Sequence, residues 1–212
     1  MTTIYFVRHS APFVEIENYK DYVNVSWDEY NKNMILSVVG EENAKKLSKI
    51  EELHNIDEIY ASNSFRAIGT AKYVAELNNL KIRLDKRIDE RCFGIVKLSE
   101  LPENFTKHSF DDKAFKVNDG ESLNEVDERL ESFINDTLDK NNNKIVVVLH
   151  GIILLSYLKR VCDEFSYDGR NFDIKYKNKV ILNGTPDNPS IFKIDFDDNK
   201  EITNIDVVPI KY

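Results

Sequence analysis

The sequence predicts an α/β protein, a three-layer α/β/α arrangement around a mostly parallel sheet, and three observations carry that prediction. Short β-rich apolar runs at Thr2–Val7, Ile56–Ala61 and Lys144–Leu149 alternate with segments of helical periodicity. The runs read as continuously apolar, the pattern of strands buried on both faces. Two of them stop at polar groups that contain a histidine, Arg8-His9-Ser10 and His150-Gly151, and the third stops at Ser62-Asn63-Ser64.

Taken in order, Thr2–Val7 is a strand that ends in a loop at Pro12. Residues 12–33 are aromatic and polar without a clean period, either a long excursion or a short helical cap. Val38, Val39, Ala44, Leu47 and Ile50 fall at helical spacing between Lys and Glu, so an amphipathic helix is expected over Ser37–Leu53. After the second strand, Ser62-Asn63-Ser64 supplies N-cap chemistry for a helix from Phe65 to Leu77. Leu123, Val126, Leu130, Phe133 and Leu138 space a helix over Glu121–Leu138, and Ser122 with Glu125 makes a capping box. The third strand leads into an apolar helix, Ile152–Val161. In the tail, Ser190–Phe196 and Ile202–Val208 flank Asp197-Asp198-Asn199-Lys200, the signal of a C-terminal antiparallel hairpin at the sheet edge. That β-rich tail either closes its own sheet or pairs across a homodimer. No repeat or linker divides the chain, so residues 1–212 are expected to form one domain, with 11–35 and 92–120 as cap segments.

Composition narrows the function. A net charge of −8 argues against a nucleic-acid surface, which depends on clustered Lys and Arg. The apolar stretch Ile145–Leu158 is broken by His150-Gly151 and falls short of the ~20 residues of a membrane helix. Cys92 and Cys162 are too few for a disulfide framework, no C-x-x-C pair suggests a metal site, and the N-terminus lacks the charged start of a signal peptide. A cytoplasmic protein without membrane or nucleic-acid partners is the expectation.

Ligands of an open α/β sheet bind beyond the carboxyl ends of the strands. Arg8-His9, Ser62–Arg66 and His150-Gly151 lie at three such ends. Two histidines and two arginines gathered there make a cationic pocket suited to a phosphoryl group, whose transition state spreads charge over three oxygens. His54 and His108 lack such a context and read as surface residues; Cys92 reads as a small buried hydrophobe.

The segment Phe6-Val7-Arg8-His9 resembles the Arg-His signature of the histidine phosphatase superfamily, which includes the phosphoglycerate mutases. Further segments fall in that family's order: Ile59–Ser62 with Arg66-Ala67 and Thr70-Ala71, Asp89-Glu90-Arg91 with Gly94, Gly120-Glu121-Ser122, and Leu149-His150-Gly151. The resemblance implies a phosphoglycerate mutase-like fold, with His9 as the nucleophile that accepts the phosphoryl group. It also implies that Arg8, Arg66, His150 and Gly151 bind the phosphate, that His150 belongs to the catalytic set, and that Glu90 is the proton donor. No cofactor or metal is implied. Ala11-Pro12-Phe13 lacks the polar residues that mutases carry after the nucleophile, which favours the phosphatase branch. The function implied is hydrolysis of a small phosphorylated metabolite, metal-independent, through a phosphohistidine. The alternatives are a phosphoglycerate mutase and a catalytically silent phosphate-binding domain.

Overall fold

The computed structural model describes residues 1–14, 25–140 and 143–211. Its central sheet has the order β3-β2-β4-β1-β8-β9, made of β3 (Arg83–Leu84), β2 (Glu58–Ala61), β4 (Lys144–Leu149), β1 (Thr2–Arg8), β8 (Ser190–Phe196) and β9 (Ile202–Val208). The four strands β3, β2, β4 and β1 are parallel, and β8 and β9 add an antiparallel edge.

Successive strand side chains point to opposite faces, and in β1 and β4 that alternation separates two cores. Ile4, Phe6, Ile145, Val147 and Leu149 join a cluster with Leu130, Phe133, Leu154 and Leu158, from the helices α5 (Leu123–Leu138) and α6 (Gly151–Val161). Tyr5, Val7, Val146 and Val148 face Leu47, Ala67, Ala71 and Val74, from α2 (Val38–Leu47) and α3 (Phe65–Leu77). Both faces of the strands are covered, so the apolar runs are continuous. Each fully buried Ile, Leu or Phe contributes roughly 1.5–3 kcal/mol relative to exposure.

The hairpin forms over the expected residues, and β8 lies between β1 and β9 within its own sheet. The expected helix over Ser37–Leu53 is shorter. It ends at Leu47 because the Ser48 hydroxyl and amide both turn back to the Lys45 carbonyl, at 2.8 and 3.3 Å, and Glu51–Leu53 continues as a 3₁₀ turn. Ser122 caps α5 through the expected capping box, so that helix begins at Leu123.

Within residues 12–33, α1 (Trp27–Asn33) is the helical cap, started by the Ser26 side chain. Phe13 N–H donates to the Ile35 carbonyl and Ser37 N–H to the Ala11 carbonyl. Ala11 passes so close to α2 that a Cβ on Gly40 would lie 2.0 Å from its carbonyl oxygen, which requires glycine there. The 92–120 segment includes α4 (Phe105–Asp111), anchored by the buried Arg91. Its guanidinium donates to the Glu121 and Phe115 carbonyls and to Ser109 Oγ, and stacks over Phe105.

A second sheet has no counterpart among the expected elements: β5 (Glu164–Tyr167), β6 (Phe172–Tyr176) and β7 (Lys179–Gly184), all antiparallel. Phe172, Ile174 and Tyr176 alternate inward and extend the first core. Among the described residues no helix is long and apolar enough to cross a membrane.

Candidate active site

Register brings the polar strand ends to one level. Arg8 pairs with Leu149 across the β1–β4 ladder and Ala61 with Val148 across β2–β4. The ladder runs one step further on both sides, with His9 N–H on the Leu149 carbonyl and Ser62 N–H on the Val148 carbonyl. His9, Ser62 and His150 therefore start from adjacent backbone positions. Arg66 arrives from the first turn of α3, on the same buried face as Thr70.

Arg66 is the centre of the site. Its Nε lies 3.1 Å from His9 Nε2, its Nη2 lies 3.0 Å from His150 Nδ1, and its Nη1 donates to the Asn31 carbonyl of α1. A guanidinium only donates, so both facing imidazole nitrogens carry lone pairs. His9 Nδ1 lies 2.8 Å from the Ser10 carbonyl, which only accepts, so the His9 proton is on Nδ1 and the lone pair on Nε2 faces the pocket. Ser10 is itself pinned, its amide on Thr70 Oγ1 and its hydroxyl on the Gly40 carbonyl.

Arg8 lies beside the start of α6. Its Nη1 donates to the Pro186 carbonyl, while its buried Nε has no hydrogen-bond partner among the described residues. A Cβ on Gly151 would come within 3.0 Å of that Nε, so glycine leaves the room that Arg8 fills. Glu90 Oε2 is 3.6 Å from His150 Nδ1 and 4.0 Å from Arg66 Nη2, and Oε1 accepts the Arg91 amide at 3.0 Å. All six residues singled out in the sequence, Arg8, His9, Arg66, Glu90, His150 and Gly151, thus meet at one end of the sheet.

Burial sets the charge states. It pushes the His9 imidazolium down to about 3, with Arg66 and Arg8 acting in the same direction and the Ser10 carbonyl opposing. His150 is lowered for the same reasons, burial first and then Arg66. Glu90 moves the other way: burial raises its carboxyl above the usual range, against the pull of Arg66 and Arg8. The site combines neutral imidazoles, fixed cations and a carboxyl inclined to hold its proton.

Several supporting residues carry no signal in the sequence reading. The Asn188 side chain donates to the His9 carbonyl at 2.8 Å, from 179 positions away. Asp28 of α1 accepts the amides of Phe93 and Gly94, at 2.7 and 2.9 Å, and joins α1 to the 92–96 segment. Arg129 holds Glu121 through two nitrogens and donates to the backbone carbonyls of Arg87 and Glu90. Ser64 occupies the N-cap position of α3 but makes no side-chain cap bond, unlike the expectation, because its amide and hydroxyl both turn toward Ser62 Oγ. Between α1 and the 89–92 loop a cleft of about 140 Å³ opens beside Glu90, lined by Asn31, Lys32, Ser64 and Cys92 among others. Cys92 is half-buried there, its Sγ 3.5 Å from Asp28. Of the aromatic residues in 12–33, Trp27 and Tyr30 pack ring to ring, 5.7 Å between centroids. Tyr19 and Tyr22 lie outside the described residues.

A mostly parallel sheet with two histidines and two arginines converging at its carboxyl end defines a class of oxyanion-binding α/β protein. Comparison with known proteins gives the family: residues 4–196 match the model of the histidine phosphatase superfamily (branch 1), and the chain belongs to it. Phosphoserine phosphatase 1 of Hydrogenobacter thermophilus is 28% identical over 152 residues, covering 62% of this chain and 72% of that protein. The fold is shared with a mycobacterial glucosyl-3-phosphoglycerate phosphatase, at TM-score 0.66 and 15% identity over 97% of this chain and 96% of the other. It is also shared with a phosphoserine phosphatase variant from Entamoeba histolytica solved with phosphoserine, at TM-score 0.64 and 18% identity over 97% of each chain.

Proposed function

We propose that the chain is a metal-independent phosphomonoesterase that hydrolyses a small phosphorylated metabolite through a phosphohistidine on His9. The observation that carries this reading is the bonding of His9: Nδ1 is committed to the Ser10 carbonyl, and the Nε2 lone pair is presented to the pocket beside two guanidinium groups.

The phosphoryl group displaces Arg66 from the two imidazoles, and its oxygens take up the donors of Arg66 and Arg8 together with the Gly151 amide at the start of α6, joined by His150 Nδ1 once it takes up a proton. His9 Nε2 attacks phosphorus in line, the P–O bond to the leaving group breaks, and Glu90 gives its proton to the departing alkoxide. Water then attacks the phosphohistidine, with Glu90 as the base that recovers a proton, and inorganic phosphate leaves. The depressed His9 pKa, at about 3, keeps the nucleophile unprotonated throughout the neutral range, and the raised Glu90 pKa suits an acid. The arginines supply the cationic stabilisation.

Because Glu90 protonates the leaving group, that group must lie on its side of the pocket, in the cleft of about 140 Å³. Such a volume supports a leaving group of few heavy atoms. Phosphoserine therefore heads the substrate panel, in line with the two related phosphoserine phosphatases.

The test is release of inorganic phosphate from phosphoserine and other phosphorylated metabolites in EDTA, comparing the parent with His9→Ala. Turnover that survives the chelator and disappears in the variant is expected. Turnover that needs a divalent cation, or that persists without His9, overturns the proposal. Transfer of phosphate between two positions of phosphoglycerate in place of release would instead identify a mutase.

A further inference from the structure

His150 is wholly buried, and the bonding on its two nitrogens is different in kind. Nδ1 accepts from Arg66 Nη2, so it bears no proton in the ligand-free site. The ring proton is on Nε2, which lies 2.8 Å from Ser62 Oγ. Ser62 is also wholly buried, and its oxygen accepts from that ring and from the Ser64 amide at 3.2 Å. The hydroxyl proton then has one anionic acceptor, Asp89 Oδ1, at 3.0 Å. Asp89 is fixed in turn by the Asn63 amide at 2.6 Å and by the Asn63 side chain. The result is an unbroken line from carboxylate through hydroxyl to imidazole, ending at the phosphate pocket.

We infer that Asp89, acting through Ser62, is a positioning residue for His150: it holds the Nε2–H tautomer in the free enzyme and supports the doubly protonated ring when an oxyanion occupies the pocket. The inference rests on the reading of the pocket as a phosphate site. When an anion draws the Arg66 donors to itself, His150 Nδ1 is left with a lone pair against a negative charge, a repulsive contact. A proton taken from solvent turns that contact into a donated hydrogen bond, and the Asp89 carboxylate one hydroxyl away favours the resulting cation. The other charged groups facing the ring are Arg66, Arg129 and Arg8, with His9, which all disfavour its protonation, and Glu90, whose carboxyl favours it only when ionised. Glu90 faces Nδ1, whereas Asp89 reaches the ring from the Nε2 side through Ser62. A carboxylate that orients an imidazole is an established device of nucleophilic catalysis; here the half-buried Asp89 acts across a serine hydroxyl.

The test reads the ring directly, by nitrogen NMR of the labelled full chain, with the His150 signals assigned by their loss in His150→Gln. Sulfate is the probe, a tetrahedral dianion with no proton to exchange near neutrality. In the free parent, Nε2 should be protonated and Nδ1 not; with saturating sulfate both should be protonated. Ser62→Ala should give mixed tautomers in the free protein. Asp89→Asn should leave the fold intact and lower the pH at which the sulfate-bound ring loses its second proton by about one unit or more. Ser62→Ala keeps Asp89 on Asn63, which separates the relay from damage to that turn. Identical His150 signals and titration in the parent and both variants would overturn the inference. Sulfate that fails to bind while the free-state tautomer still shifts would sink the phosphate reading and the bound-state half of the inference, leaving the free-state relay standing.

Discussion

On the floor of the pocket, His9, Arg66 and His150 are 6%, 2% and 0% exposed, and every ring or guanidinium nitrogen has a named partner. The wall is built differently. There α1 has no buried residue and meets the 92–96 segment through one carboxylate, Asp28, and the Trp27 amide on the Val96 carbonyl. The floor hangs on sheet register, which slips only at the cost of turning whole strands inside out; the wall hangs on a few hydrogen bonds at the surface. On the proposed reading, the floor makes and breaks bonds and the wall chooses the substrate.

The comparison can be broken most sharply at the floor. His9→Ala should remove about 10⁴-fold or more of turnover, measured as phosphate release by folded protein. Glu90→Gln should lower kcat by about 10²- to 10⁴-fold and let the phosphohistidine accumulate, a mass shift visible in acid-sensitive intact-protein spectra. A Glu90→Gln enzyme at parental rate would move the acid to another group. Gly151→Ala replaces glycine by a better helix former yet drives a methyl against Arg8, so kcat/KM should fall by about 10- to 100-fold while thermal stability holds. At the wall, Asp28→Ala leaves two loop amides without their acceptor, worth about 1–3 kcal/mol of local stability, and should raise KM much more than it lowers kcat. Equal losses in kcat and kcat/KM for this variant would erase the distinction between floor and wall.

The floor also has a pH signature in stability. The imidazole of His9 falls from 6.5 in the unfolded chain to about 3 in the native one. Between those values the unfolded state binds a proton that the native state does not, so the contribution is complete above about 6.5 and is lost as pH falls toward about 3. Glu90, raised, titrates in the opposite sense. Urea midpoints in a Glu90→Gln background should therefore decline with acidification, and adding His9→Gln should flatten that decline. The smallest effect concerns the whole molecule: with a net charge of −8, a strongly anionic substrate should bind modestly better as salt rises from low values, seen as a fall in KM.

How much of this was legible in the sequence differs by element. β4 could be read to the residue because its apolar run is uninterrupted, and the edge hairpin because two β-rich stretches flank the polar turn Asp197-Asp198-Asn199-Lys200. The meeting of Arg8-His9, Arg66 and His150-Gly151 at one end of the sheet was legible from their places after three strands, while Glu90 and the roles of all these residues came from the resemblance to the family. Ser62 was misread as cap chemistry because a serine before a helix has that meaning locally; its actual partners, His150 and Asp89, are 88 and 27 positions away. Asp28 and Asn188 were invisible because they bind backbone groups, which every residue offers alike. The second sheet escaped because its strands are short and half-exposed: β5 and β6 alternate over only four and five residues, and β7 does not alternate.

The antiparallel sense of β8 has a consequence for how the molecule comes into being. Because β8 runs against β1, its first residue, Ser190, pairs with Arg8, and the loop ahead of it delivers Pro186 to the Arg8 guanidinium and Asn188 to the His9 backbone. His9 is thus secured by a residue made 179 positions after it. A nascent or truncated chain that stops short of this loop carries His9 but lacks the Asn188 and Pro186 contacts on His9 and Arg8, so this end of the sheet is completed only once the loop before β8 has been made.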